Sequence, residues 1–200
     1  MSTLILARHG ETLWHAENRY AGSTDVGLTE RGRAQSVTLG RWAAGQPLAA
    51  VYSSDLSRAV LTATPAADAL ALPLHLEPRL REVDFGRGEG LTTAEMREAF
   101  PRDVDEFQLR PGQSPLPGGE SGIAAVDRAW PSLEEIAARH DGAVLVVMHS
   151  TLMRLVLCRV LGMSLDHYRS AFPAVRNVAL TTITLGAAPA LHGFNVPLPE

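Results

Sequence analysis

The chain has 200 residues, 46% of them hydrophobic and 20% charged, which suits one sizeable folded α/β domain and excludes a disordered or collagen-like chain. All 18 basic residues are arginine, so chemistry that needs a lysine, such as a Schiff base or a P-loop, is excluded. The net charge of −4 argues against a nucleic-acid binder or a polybasic membrane protein, and neither partner is expected.

Thr3 to Ala7 is a short apolar run that stops at Arg8-His9-Gly10 and reads as a buried strand feeding a loop. No basic leader precedes it, so a cytoplasmic protein is expected. Thr29 is a candidate N-cap for a helix carrying Ala34, Val37, Leu39 and Trp42. Ala50 to Ser53 reads as a second strand. Asp55 or Ser57 is expected to cap the helix that follows, with Pro65 interrupting or kinking it. His75 to Glu77 reads as a third strand. Residues 83–119 are punctuated by glycine and proline, contain one short helix over Thr93 to Phe100, and read as a lid-like specificity segment.

Glu120 to His140 has the pattern of a long helix, with Pro131 as a candidate kink. Gly142 to Met148 is the clearest buried strand and the longest apolar run, far too short to span a membrane. Ser150-Thr151 then start a helix that Gly162 ends. Cys158 falls in that helix and reads as a buried small hydrophobe; as the only cysteine it excludes an internal disulfide. Val178 to Leu185 and Leu191 to Val196 complete the strands. Alternating strands and helices without repeat or linker predict one domain over residues 1–200: a three-layer α/β/α sandwich around a mostly parallel sheet.

Open α/β sheets bind ligands beyond the carboxyl ends of their strands. His9 follows the first strand and His149 follows the strongest one, so parallel strands place both at one end of the sheet. Their neighbours suit an anion. Arg8 adjoins His9, Arg58 follows the second strand, and the Ser150 and Thr151 amides open a helix. His75, His140, His167 and His192 lack such a setting and read as structural.

These residues carry a family resemblance. Leu6-Ala7-Arg8-His9-Gly10-Glu11-Thr12 is similar to the Arg-His-Gly-Glu-Thr signature of the histidine phosphatase superfamily, the phosphoglycerate mutase-like proteins. Asp25 to Gly32, Tyr52 to Ala59, Leu80 to Gly86, Gly118 to Ser121 and Val147 to His149 resemble its later motifs, in order, from about residue 3 to 184.

The resemblance implies a phosphoglycerate mutase-like fold and a metal-independent reaction without cofactor. His9 would attack a phosphomonoester and become a phosphohistidine. Arg8, Arg58 and a cationic His149 would surround the phosphoryl oxygens. Glu82 would serve as general acid and then base, with Asp84 as its rival two residues on. Thr12, Asn18, His15 and Ser150 would add phosphate contacts. His15 stands where many relatives have Asn, and is expected to donate to phosphate or to touch the leaving group. Ser150 stands where Gly is usual, and Gly88 where an aromatic is often found.

Mutases of the family carry a longer insertion with paired basic residues; here Arg87, Arg97, Arg102 and Arg110 are scattered. The expected activity is therefore that of a compact bacterial phosphatase, similar to α-ribazole and broad-specificity phosphatases. Phe100, Phe107, Leu109 and Leu116 would form an apolar lid over a small phosphorylated metabolite, or simply cover the core. A phosphomutase, a metal hydrolase using His9, His15 and His149, and a silent phospho-ligand module are the alternatives. Against the metal hydrolase, no His-x-x-x-His pair or Asp-rich cluster is present. A homodimer stays open, since Trp14, Trp42 and Trp130 mark no exposed stripe.

Overall fold

The computed structural model describes residues 2–198. One sheet contains β1 (Thr3–Arg8), β2 (Leu48–Ser53), β3 (Leu74–Leu76), β4 (Ala143–Met148), β5 (Leu180–Thr184) and β6 (Ala190–Val196), in the order β3-β2-β4-β1-β5-β6. The first four strands are mutually parallel, and β5 and β6 join antiparallel to their neighbours. The helices are α1 (Glu30–Ala44), α2 (Ser57–Leu70), α3 (Thr93–Ala99), α4 (Pro101–Leu109), α5 (Gly122–Arg139), α6 (Ser150–Val160) and α7 (Tyr168–Ala171). This is the expected mixed α/β fold.

The central strands are apolar on both faces because both are covered. Leu4, Leu6, Val144, Val146 and Met148 pack in one core with Leu133 and Ile136 of α5 and Leu152 and Leu155 of α6. Ala7, Leu145 and Val147 pack in the other with Leu39 of α1 and Ala59, Ala63 and Ala66 of α2. Each fully buried Leu or Val contributes roughly 1.5–3 kcal/mol. Among the described residues no helix is long and apolar enough to cross a membrane.

Several local expectations are corrected. Pro65 does not interrupt α2, which runs on through it, and Pro131 lies inside α5 as expected. Pro65 packs against Gly40 of α1, where a Cβ would lie 2.8 Å from the Pro65 carbonyl oxygen, so only a glycine lets the two helices approach this closely. Neither Asp55 nor Ser57 caps α2 with its side chain. The Ser57 amide and hydroxyl instead donate to the Asp25 carboxylate, at 3.0 and 2.7 Å, while Asp55 pairs with Arg81. Ser121 caps α5, which begins at Gly122 rather than Glu120.

Within residues 83–119 a second helix, α4, follows α3 directly. Pro101 is its first residue, the one helical position where a missing N–H costs nothing. Phe100, Phe107 and Leu116 are buried in the core cluster and Leu109 is exposed.

Candidate active site

β1 and β4 are neighbours with Arg8 opposite Met148, so His9 and His149 leave the sheet side by side. The His9 amide donates to the Met148 carbonyl at 3.0 Å, and the two imidazole centroids are 5.1 Å apart. β2 reaches the same edge. The Ser54 amide donates to the Val147 carbonyl, and its hydroxyl lies 2.7 Å from His149 Nε2.

Proton placement follows from the partners. His9 Nδ1 lies 2.7 Å from the Gly10 carbonyl, which can only accept. Nδ1 therefore carries the proton, and Nε2 keeps its lone pair. Burial, then the charges of Arg8 and Arg58, hold His9 well below the ordinary histidine range, so the ring is neutral at pH 7. Burial and Arg58 hold His149 low in the same way. The cationic His149 expected from the resemblance is one whose charge a phosphate dianion favours, and the protein's own groups, burial first and then Arg58, favour the neutral ring. A Ser54 hydroxyl donating to Nε2 leaves His149 Nδ1–H as a free donor.

The arginines are fixed by carbonyls rather than carboxylates. Arg58 is fully buried and donates to the Thr24 and Gly22 carbonyls at 2.8 and 2.6 Å. Arg8 donates to the Val175 carbonyl at 2.7 Å, and burial lowers it to about 10, so it stays charged at neutral pH. Arg8 Nε, Arg58 Nε and His149 Nδ1 are buried without a hydrogen-bond partner among the described residues. Buried donors are almost always paired, so these are donors that an anion can satisfy.

Glu82 is buried at the start of α6. Its carboxylate accepts from the Thr151 and Leu152 amides at 2.9 and 2.8 Å, and from the Val83 amide at 2.9 Å. The Thr151 amide, expected to face phosphate, is therefore engaged by Glu82, which acts as a long-range cap of α6. Arg128 braces this segment by donating to the Arg79 and Arg81 carbonyls at 2.6 and 3.1 Å while pairing with Glu120. The rival acid, Asp84, instead accepts from the Gly86 amide.

A cavity of ≈ 360 Å³ is lined by Arg8, His9, Thr12, His15, Asn18, Glu82 and Ser150, so seven of the nine expected site residues share one wall. Arg58 and His149 do not line it, being fully buried within electrostatic reach of His9. His15, expected to donate to phosphate or to touch the leaving group, lines the cavity with both ring nitrogens close to protein groups. Its Nε2 lies 2.5 Å from Arg8 Nη2, a group that only donates, and its Nδ1 lies 3.0 and 2.8 Å from the amide and hydroxyl of Thr12. Burial, then Arg8, push it down to about 4.

The cavity also includes Trp14, Tyr20, Arg154, Tyr168 and Arg169, none of which the sequence singled out. Arg154 lies four residues after Ser150, one turn along the same helix face, which is the signal that could have found it. Asn177, also missed, donates to the His9 carbonyl at 2.7 Å. Of the four scattered arginines in residues 83–119, none lines the cavity. Among the described residues, no group of three or more His, Cys, Asp or Glu side chains is placed to hold a metal ion.

The model of the histidine phosphatase superfamily (branch 1) matches residues 4–193. The chain belongs to the histidine phosphatase superfamily. Its relatives in that superfamily include both reaction types. It is 36% identical over 171 residues to phosphoserine phosphatase 1 of Hydrogenobacter thermophilus, covering 85% of this chain and 81% of that one. It is 34% identical over 176 residues to a 2,3-bisphosphoglycerate-dependent phosphoglycerate mutase 2 of Gloeobacter violaceus, covering 84% and 77%. Among solved histidine phosphatase-like structures, YhfR of Bacillus stearothermophilus superposes with a TM-score of 0.91 at 31% identity, covering 98% of both chains.

Proposed function

We propose that this histidine phosphatase is a metal-independent phosphomonoester hydrolase acting on a small phosphorylated metabolite through a phosphohistidine on His9. The observation that carries the reading is the neutral His9 ring, with Nδ1 bound to the Gly10 carbonyl and Nε2 free, in a cavity shared with Glu82 and Arg8. Nε2 attacks phosphorus as the bond to the ester oxygen breaks, and Glu82 gives that oxygen its proton. Glu82 then takes a proton from water. The water oxygen bonds to phosphorus, the P–N bond breaks, and inorganic phosphate leaves. Arg8 offers donors to the phosphoryl oxygens from the cavity wall, Arg58 and His149 act on them through charge from behind it, and an arriving dianion favours protonation of His149. Thr12, Asn18 and Ser150 complete the phosphate wall, and His15 acts through Arg8.

A hydrolase is favoured over a mutase because the arginines of residues 83–119 stay outside the cavity. The test is hydrolysis of p-nitrophenyl phosphate in EDTA by the wild type and by His9→Ala. The expected result is turnover in EDTA that the variant loses. Turnover that appears only on adding metal would overturn the phosphohistidine route, and turnover retained by His9→Ala would overturn the nucleophile.

A further inference from the structure

The loop that carries His9 is held peptide by peptide. The His9 carbonyl accepts from Asn177 Nδ2 at 2.7 Å, and the Gly10 amide of the same peptide donates to Thr62 Oγ1 at 2.9 Å. In the next peptide the Gly10 carbonyl meets His9 Nδ1 at 2.7 Å, and the Glu11 amide donates to Gln35 Oε1 at 2.8 Å. The Glu11 carbonyl in turn accepts from the Thr29 amide at 3.0 Å, at the start of α1. Loop and helix meet backbone to backbone: a Cβ on Gly10 would lie 2.6 Å from the Gly32 carbonyl oxygen.

Gln35 is the side chain in this series that bears on the proton of His9. A trans peptide is planar, so its N–H and C=O point in opposite directions. Anchoring the Glu11 N–H on α1 therefore turns the Gly10 carbonyl towards His9 Nδ1. Burial, Arg8, Arg58 and His15 all lower the proton affinity of His9, and the Gly10 carbonyl is the group that raises it. An acceptor on the N–H also polarises the peptide and makes its carbonyl a better acceptor. The orientation of the Gln35 amide is forced, because only its oxygen can accept from an N–H. A glutamine that merely decorated the helix would lie in water; this one is half-buried and reaches a loop 24 positions earlier. It also lines a cavity of ≈ 660 Å³, so a substituted side chain there meets space rather than core.

We propose that Gln35 is a positioning residue that sets the tautomer of His9, acting through the Gly10–Glu11 peptide. With the Gly10 carbonyl turned on Nδ1, the neutral ring holds its proton there and keeps the Nε2 lone pair for phosphorus. Without that acceptor the proton leaves Nδ1 and the ring takes one up at Nε2, presenting a donor where the lone pair is needed. The effect on turnover rests on the phosphatase reading above, with His9 as nucleophile; the effect on the tautomer does not.

The test is NMR of protein isotope-labelled in its histidine nitrogens, with the His9 signals assigned by their absence from His9→Ala. The wild type is expected to show His9 protonated at Nδ1. Gln35→Met removes the acceptor at similar length and should populate the Nε2–H tautomer. Gln35→Glu keeps an acceptor oxygen and should restore the wild-type pattern. With p-nitrophenyl phosphate, kcat/KM should fall about tenfold in Gln35→Met, the size of one hydrogen bond, and recover in Gln35→Glu. Competitive inhibition by inorganic phosphate should not weaken in Gln35→Met, because an Nε2–H is itself a donor to phosphate. A general loosening of the loop would weaken both. Circular dichroism reports folding, and Gln35→Asn, whose shorter side chain draws the oxygen away from the Glu11 amide, replaces Gln35→Met if that variant does not fold.

A wild type with His9 protonated at Nε2 overturns the proposal before any variant is made. So does a folded Gln35→Met that keeps the Nδ1–H pattern, whatever its activity, or an equal shift of tautomer in Gln35→Met and Gln35→Glu. A tautomer shift that leaves kcat/KM intact upholds the positioning role and removes His9 as the nucleophile. Absence of turnover by the wild type overturns the phosphatase reading instead, and the NMR comparison still decides the role of Gln35.

Discussion

Arg8 and His15 meet at 2.5 Å, with His15 Nε2 accepting from the guanidinium. The Val175 carbonyl holds another nitrogen of Arg8, so ring and carbonyl together fix the arginine beside the proposed nucleophile. His15→Asn offers a shorter side chain that still has an acceptor oxygen. Turnover is expected to persist with an altered order of preference across a panel of phosphorylated metabolites. Loss of all activity would contradict a role exercised only through Arg8.

The buried histidines set an acid limit on stability. His15 is lowered to about 4, and His9 and His149 lie well below their ordinary value of 6.5. The unfolded chain binds more protons than the native one between those values, so stability rises with pH across that window and falls as pH drops from about 6.5 towards 4. Asp55 and Glu77 are lowered by Arg81 and Arg79, so their contribution is lost only at more acidic pH. Denaturant midpoints at about pH 7 and about pH 5 should differ, and His15→Asn should reduce the difference. A flat profile would show that these rings titrate normally.

Glu82 joins chemistry to architecture. Glu82→Gln places an amide nitrogen against one of the N–H groups its carboxylate now accepts from, and should cost about 1–3 kcal/mol by denaturant titration. It should also slow alkyl phosphates more than p-nitrophenyl phosphate, whose leaving group needs little protonation. Equal slowing of both would remove Glu82 as the acid.

Arg128 positions Glu82 without touching the cavity. Arg128→Met frees the Arg79 and Arg81 carbonyls and leaves Glu120 unpaired. The expected signature is the same leaving-group dependence as Glu82→Gln at smaller amplitude. A stability loss with no such dependence would make Arg128 merely structural.

Asp25 caps α2 from a distant loop whose Gly22 and Thr24 carbonyls hold Arg58. Asp25→Ala should cost about 1 kcal/mol and weaken competitive inhibition by inorganic phosphate. Unchanged inhibition, measured against p-nitrophenyl phosphate, would separate the cap from the arginine.

The features legible in the sequence were local or carried in motif order. Apolar runs marked β1, β2 and β4, alternation marked β5, Thr29 marked the cap of α1, and the loops after two strands placed His9 and His149 at one edge. The Asp25 cap, the Pro65–Gly40 packing and the second helix at Pro101 were not legible. The first two join residues far apart in sequence, and Pro101 looks the same whether it ends one helix or starts another.

Strand and helix periodicity marked the α/β class, and the ordered motifs marked the resemblance to the family and with it a candidate set that includes Arg8, His9 and Glu82. The tertiary structure alone decided what each group faces. Glu82 meets amides up to 70 positions away, Arg8 meets the His15 ring, and Arg154 and Arg169 come to one cavity without acidic partners. Those pairings arise where loops from separate strands converge at the sheet edge, and their geometry depends on strand register and helix packing, which no local window of sequence contains.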